Sequence, residues 1–168
     1  MKTIVVYFSR NGENYYNGSI QNIKVGNAQK IVNIIKEHKE VDEFEVKPLK
    51  PYSADYHTCT IEAKNEKNSH ARPEIVGNYD LSNYDHIILV YPSWWSTMPM
   101  CMFTYLDSQD LTNKHIYPIC THEGSGMGSS VNDLKKYYNE ANIHNSLAVQ
   151  GTYVESSTSK IIEYIKEI

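Results

Sequence analysis

The chain has 168 residues, enough to fill one core but short for two. Apolar residues make up 40% and charged residues 21%, and the net charge of −4 includes no basic block, which argues against nucleic-acid or anionic-membrane partners. The three cysteines, Cys59, Cys101 and Cys120, have no paired spacing, so neither a disulfide framework nor a metal site is expected, and their scarcity suits a reducing compartment.

Residues 3–8 (Thr-Ile-Val-Val-Tyr-Phe) form a nearly continuous apolar run, the pattern of a central parallel strand. No charged-then-apolar leader precedes it and no run is long enough to span a bilayer, so a cytoplasmic location is expected. Within the long connection over 9–26, Tyr15-Tyr16-Asn17-Gly18-Ser19-Ile20 predicts a small hairpin, because Asn-Gly suits a two-residue turn. Ala28, Ile31, Val32 and Ile35 recur at helical spacing, with Asn27 expected as the N-cap.

Phe44-Glu45-Val46 alternates like an edge strand, and Tyr56, Cys59, Thr60 and Ala63 mark a weaker helical face. A long connection over 65–84 leads to Ile87-Ile88-Leu89-Val90, the clearest strand. Pro99, Met102, Phe103 and Leu106 predict a helix with Pro99 in its first turn. A strand over 115–120 follows, in which Pro118 is awkward because it lacks a donor, so a strand end or bulge is expected there. Val131, Leu134, Tyr138 and Ala141 predict a helix, 147–149 a fifth strand, and Ile161, Ile162, Ile165 and Ile168 a closing helix. Five strands alternating with five helices predict a parallel sheet covered on both faces.

Three loops open at the carboxyl edge of such a sheet, where ligands bind in open α/β folds. The first runs from Ser9-Arg10-Asn11-Gly12 to Gly26-Asn27-Ala28 at a helix start, a combination suited to an anion, although Ser and Asn serve equally well as turn and helix caps. The second, Tyr91-Pro92-Ser93-Trp94-Trp95-Ser96-Thr97-Met98-Pro99, places both tryptophans of the chain side by side. Such a pair suits a flat apolar ligand, or a loop that folds its rings back onto the sheet. The third, Thr121-His122-Glu123-Gly124-Ser125-Gly126-Met127-Gly128, lets the backbone approach a ligand closely, or is a flexible connection. A phosphate cradle, an aromatic clamp and a Gly/Ser loop together describe a phosphorylated flat heterocycle.

On Tyr7-Phe8-Ser9-Arg10, Gly26-Asn27, the Trp-Trp segment and Thr121-His122-Glu123-Gly124-Ser125-Gly126, the sequence resembles the flavodoxin-like flavoproteins, closest to bacterial members with a Pro-x-Trp-Trp loop. The resemblance covers essentially the whole chain. It implies a single flavodoxin-like domain over 1–168, a three-layer α/β sandwich whose five-stranded parallel sheet has order 2-1-3-4-5, and noncovalently bound FMN. Carried over by position, Ser9, Arg10 and Asn11 with Asn27 and Ala28 hold the phosphate. Pro92, Ser93, Trp94 and Trp95 line the isoalloxazine ring, and Thr121, His122, Gly124 and Ser125 meet its other edge or the ribityl chain. The chain departs from the family pattern in its interrupted first loop and in Ala28, which stands where the family often has Thr.

A flavin would carry the redox chemistry while the protein supplies binding and electrostatics. A one-electron carrier is expected to be strongly acidic and to have glycine in the loop beside the flavin, and Pro92-Ser93-Trp94-Trp95 has none. The expectation is therefore an NAD(P)H-dependent reductase of quinones or similar small acceptors, with a one-electron carrier (whose partner is a redox protein) and a non-catalytic FMN-binding module as alternatives. His122 is the one candidate proton-handling group. A phosphoacceptor receiver lacks its acidic cluster here, an α/β-hydrolase its Gly-x-Ser-x-Gly, and a P-loop its Gly-Lys-Ser/Thr.

Overall fold

The computed structural model describes residues 1–168. In chain order the elements are β1 (Thr3–Tyr7), β2 (Gly12–Tyr16), β3 (Ser19–Ile23), α1 (Asn27–His38), β4 (Asp42–Glu45), α2 (Tyr56–Asn68), β5 (His86–Pro92), α3 (Met100–Asp107), β6 (His115–His122), α4 (Ser130–Tyr137), β7 (Asn142–Ile143), β8 (Leu147–Gln150) and α5 (Thr158–Ile165). Two short 3-10 turns, Gly151–Tyr153 and Glu155–Ser157, lead into α5.

The main sheet is parallel, in the order β4-β1-β5-β6-β7, with β8 continuing beside β6 where β7 stops. This is the expected 2-1-3-4-5 arrangement, with its fifth position divided between two short strands. Residues alternate cleanly between two cores. Ile4, Val6, Ile87, Leu89 and Tyr91 face one layer with α3 and Leu134 of α4. Val5, Tyr7, Ile88 and Val90 face the other with α1 and α5. A period of two with both faces apolar is what a strand covered on both sides requires.

The break between β7 and β8 accounts for Pro118, which lies inside β6 rather than at its end or at a bulge. Ile116 O accepts from His144 N, and Thr121 O from Ser93 N on the β5 side, so the even-numbered carbonyls of β6 point toward β7 and β8. Pro118 O follows suit and accepts from Tyr164 Oη. The missing N–H of Pro118 therefore points into the gap between the two short strands, where no ladder bond is lost.

Several predicted boundaries move. The N-cap of α1 is Gly26, not Asn27, and no side chain of the cap bonds to the helix. Pro99 is the N-cap of α3 rather than a member of its first turn. Tyr138 and Ala141 lie beyond α4, and Ile168 beyond α5, although Tyr138 is buried. β6 runs on to His122, so Thr121 and His122 belong to a strand end rather than to the loop after it. The hairpin extends the full length of Gly12–Ile23, with Asn17 and Gly18 at φ 51° and 85°, as a type I′ turn demands.

Candidate functional site

The strand order reverses between β1 and β5, and the crevice above that point is bounded by the loops after β1, β5 and β6. A cleft of 270 Å³ lies there. Arg10, Asn27, Ala28, Pro92, Ser93, Trp94, Thr121, His122 and Ser125 line it, joined by Asn14, Tyr15, Tyr56 and Glu123. Four expected residues lie outside. Ser9 and Asn11 line a wider 1020 Å³ groove on the other side of the hairpin root, Trp95 lines a third cavity, and Gly124 lies next to the cleft residues without lining it. The groove is larger, but only the cleft joins the ends of all three loops.

At the first loop, α1 begins hard against the chain leaving β1. A side chain at Gly26 would come within 2.1 Å of Ser9 Oγ and 2.6 Å of Arg10 O, so only glycine permits the approach. Ser9 Oγ accepts from Gln29 N at 3.1 Å and supplies the helix with the cap that Gly26 cannot. The N–H groups of Asn27 and Ala28, in the same turn, have no intrahelical acceptor. Asn27 Oδ1 is buried with no hydrogen-bond partner. Since an amide can be turned over, Asn27 offers the cleft either an acceptor or a donor that nothing in the protein satisfies. Arg10 is directed elsewhere: Nε donates to Glu13 O at 2.9 Å and Nη2 to Ala54 O at 3.1 Å, and it forms no salt bridge.

The Trp-Trp segment is a tight turn. Trp94 N donates to Thr97 O at 2.9 Å and Thr97 N to Trp94 O at 3.3 Å, with Trp95 at φ 53° and Ser96 at φ 68°. Two successive non-glycine residues in the left-handed region are strained and persist only when surroundings fix them. Here Ser129 donates through N and Oγ to Ser96 O, Lys67 Nζ donates to Trp95 O, Trp95 Nε1 donates to Thr60 O, and Thr97 Oγ1 donates to Asp133. Gly128 lets Ser129 reach Ser96, because a Cβ at Gly128 would lie 2.3 Å from Ser96 O. Trp94 is half-buried and edge-on to Phe8 and Tyr52, with ring centroids at 5.0 and 4.8 Å. Its ring thus folds toward the core and still forms one wall of the cleft.

In the third loop His122 Nδ1 accepts from Gly124 N at 2.9 Å, which leaves the ring proton of neutral His122 on Nε2. Burial, ahead of the opposing field of Glu123, holds the imidazole below its ordinary value, so the neutral donor form is favoured. Glu123 was not anticipated. Its carboxylate accepts from Thr152 N and Thr152 Oγ1, each at 2.7 Å, and Thr152 Oγ1 in turn accepts from Asn17 N at 2.9 Å. The tip of the hairpin is thereby tied to the third loop. Its root is tied to α2, where Glu13 accepts from Tyr56 N at 2.7 Å. The Thr-His-Glu-Gly-Ser-Gly loop was a visible signal for Glu123, but Asn14, Tyr15 and Tyr56 reach the cleft, and Thr152 reaches Glu123, only through folding. No three His, Cys, Asp or Glu side chains are placed to hold a metal ion, and no helix is long and apolar enough to cross a membrane.

Similar architectures occur in solved structures. A candidate flavoprotein of Bacteroides uniformis ATCC 8492 is 24% identical, with 98% of this chain and 97% of that one aligned and a TM-score of 0.77. A flavoprotein of Lactobacillus acidophilus NCFM, solved in complex with FMN, is 22% identical over 92% and 97% of the two chains, with a TM-score of 0.66. An NAD(P)H:quinone oxidoreductase of Methanothermobacter marburgensis shares the fold at 9% identity over 96% and 92%, with a TM-score of 0.56. At these identities the likeness is one of fold. No curated protein matches the sequence. Residues 2–165 match the flavodoxin family, and the chain belongs to it.

Proposed function

We propose that the cleft holds FMN and that the protein is an NAD(P)H-dependent reductase of quinones or similar small acceptors. The observation that carries the FMN reading is Asn27. Asn27 lines a cleft walled by Trp94, its amide oxygen is buried without a hydrogen-bond partner, and it belongs to the first turn of α1, whose N–H groups are free. A phosphate with its polyhydroxyl tail satisfies the amide and the N–H groups, and a flat ring suits the aromatic wall. The crevice is also where flavodoxins place FMN. The L. acidophilus protein's FMN supports the same reading.

In this reading the N–H groups of Asn27 and Ala28 hold the phosphate, while Ser9 keeps the turn in place. Trp94, Pro92 and Ser93 line one side, and Thr121, His122 and Ser125 the other. Bound FMN supplies two-electron transfer. The net reaction is NAD(P)H + H⁺ + quinone → NAD(P)⁺ + hydroquinone, and His122 Nε2 offers a hydrogen bond to an oxygen that gains electron density. A fixed second loop favours this chemistry over one-electron carriage. The peptides around Trp94 are held by the bonds to Thr97 and by Ser93 N donating to Thr121 O at 2.8 Å. A peptide flip would break one or more of them. Lack of glycine alone does not bar positive φ in this loop, since Trp95 and Ser96 already occupy the left-handed region.

The experiment is to release the cofactor by heat, identify it chromatographically, and titrate the reconstituted protein with dithionite and with NADH or NADPH. FMN, bleaching by a nicotinamide and little blue semiquinone are expected. FAD, or no retained flavin, overturns the cofactor assignment. A large semiquinone fraction without nicotinamide oxidation makes the protein a carrier, and bound FMN without either makes it a binding module.

A further inference from the structure

Beside the cleft, and sharing Arg10, Asn14, Tyr56, Ser93 and Trp94 with it, lies a separate cavity of 320 Å³ between α2 and the Trp-Trp turn. Its remaining walls are Cys59, Thr60, Ala63 and Trp95. Three aromatic side chains, a small buried alanine and a thiol that burial keeps protonated make a slot for a flat, uncharged ring. Arg10 lines both the slot and the cleft; its guanidinium forms no salt bridge, and while Nε and Nη2 donate to Glu13 O and Ala54 O, Nη1 makes no hydrogen bond. A guanidinium so placed suits a carbonyl oxygen and disfavours a cation. The ring of Trp95 is fixed by its Nε1 bond to Thr60 O, and its backbone by the bond from Lys67 to its carbonyl, so this wall of the slot is set without a ligand.

We infer that this slot is the binding site for the electron acceptor, and that it selects small planar quinones, ring against ring with Trp95 and carbonyl toward Arg10. The inference rests on the reductase reading for its biological sense but is tested by binding alone. FMN-loaded, oxidised protein is titrated calorimetrically with menadione in the absence of any reductant. Saturable one-to-one binding is expected. Ala63→Leu, which fills the slot, should weaken menadione at least tenfold while leaving FMN affinity within about twofold. Trp95→Ala should weaken menadione about fivefold or more. Trp95 is 44% exposed, so the variant removes little core packing; its fold is checked by thermal melting, and it decides the matter if Ala63→Leu does not fold.

The inference is overturned if the wild-type protein does not bind menadione, or if the folded variants bind it equally well. It is also overturned if Ala63→Leu weakens FMN as much as menadione, because the slot then belongs to the cofactor site. Nicotinamide oxidation is scored separately. Menadione binding that Ala63→Leu weakens, with no reduction by NADH or NADPH, leaves the slot standing and removes the reductase. Turnover that Ala63→Leu leaves intact does the reverse.

Discussion

Trp94 turns its ring edge-on to Phe8 and Tyr52, while Trp95 lies across α2 with Lys64 Nζ 5.0 Å from its ring centroid. Adjacent in sequence, the two rings answer to different forces, so their substitutions should separate. Trp94→Ala removes core packing and the cleft wall together. It should lower the melting temperature and weaken FMN by about tenfold or more, the scale of roughly 1–3 kcal/mol for a lost aromatic stacking partner. Trp94→Phe should recover most of the stability. Trp95→Ala should leave FMN affinity close to wild type and cost about 1 kcal/mol of stability, the bond from Nε1 to Thr60 O that helps to hold the turn. Calorimetric FMN affinities and thermal melts of the three variants check this, and equal FMN affinity in Trp94→Ala would reduce Trp94 to a packing residue. Asn27 teaches the same lesson from the opposite direction. It was legible as a cap, yet Gly26 occupies the cap position and the Asn27 amide is left for the cleft.

At the level of elements, the β2–β3 hairpin is the largest addition to the plain α/β pattern, and its attachments give it a role. Asn17 at its tip donates to Thr152, which Glu123 grips with both oxygens, and Lys30 lies 5.2 Å over the ring of Tyr16. The hairpin thus runs past the first turn of α1, clasped to the third loop at one end and to α2 at the other. Thr152→Val removes the hydroxyl that joins Asn17 to Glu123. A stability loss of about 1 kcal/mol is expected from the broken bonds, together with FMN release several times faster than wild type by stopped-flow fluorescence. Amide exchange at Asn17 should quicken in parallel. Unchanged release would mean the hairpin decorates the cleft without closing it. Asn17-Gly18 revealed the hairpin because a primed turn has few acceptable sequences. The equivalent turn at Trp95-Ser96 was invisible because its strain is compensated by Ser129, Lys67, Thr60 and Asp133, partners 28 to 36 residues away. For the same reason the strands could be read from their apolar runs, whereas the division of the fifth strand around Pro118 could not. It depends on which side of β6 the missing donor faces.

Across the whole molecule, the carboxyl edge of the sheet carries the cleft and the amino edge carries a cluster of rings. His86 opens β5, His115 opens β6, and His144 follows β7. His86 stacks on His115 at 5.1 Å and on Tyr117 at 5.6 Å, and His144 stacks on Tyr117 at 4.3 Å. His115 Nδ1 and His144 Nε2 are 2.7 Å apart, and Tyr117 Oη is 3.1 Å from His86 Nδ1. One nitrogen of the His115–His144 pair must accept, so protonating both facing nitrogens breaks the contact. Burial first, then the neighbouring imidazoles, hold His86 and His144 below the ordinary imidazole value of 6.5, with exposed Asp85 only partly offsetting this at His86. The sign follows. The folded state prefers these rings neutral, whereas the unfolded chain takes up their protons as pH falls through about 6.5. The stabilisation is complete above that value and is lost progressively as pH drops through the lower folded-state values. His144→Gln removes one ring and relieves its neighbours, so its melting temperature should fall less on going from pH 7.5 to pH 5. The expected difference is roughly 2–4 °C, the shift that about 1 kcal/mol produces in a chain of this size. His122, whose imidazole is also depressed, lies at the opposite edge and contributes equally to both proteins, so it cancels in the comparison. Parallel melting profiles for the two proteins would show that the ring cluster packs the amino edge without making it sensitive to acid.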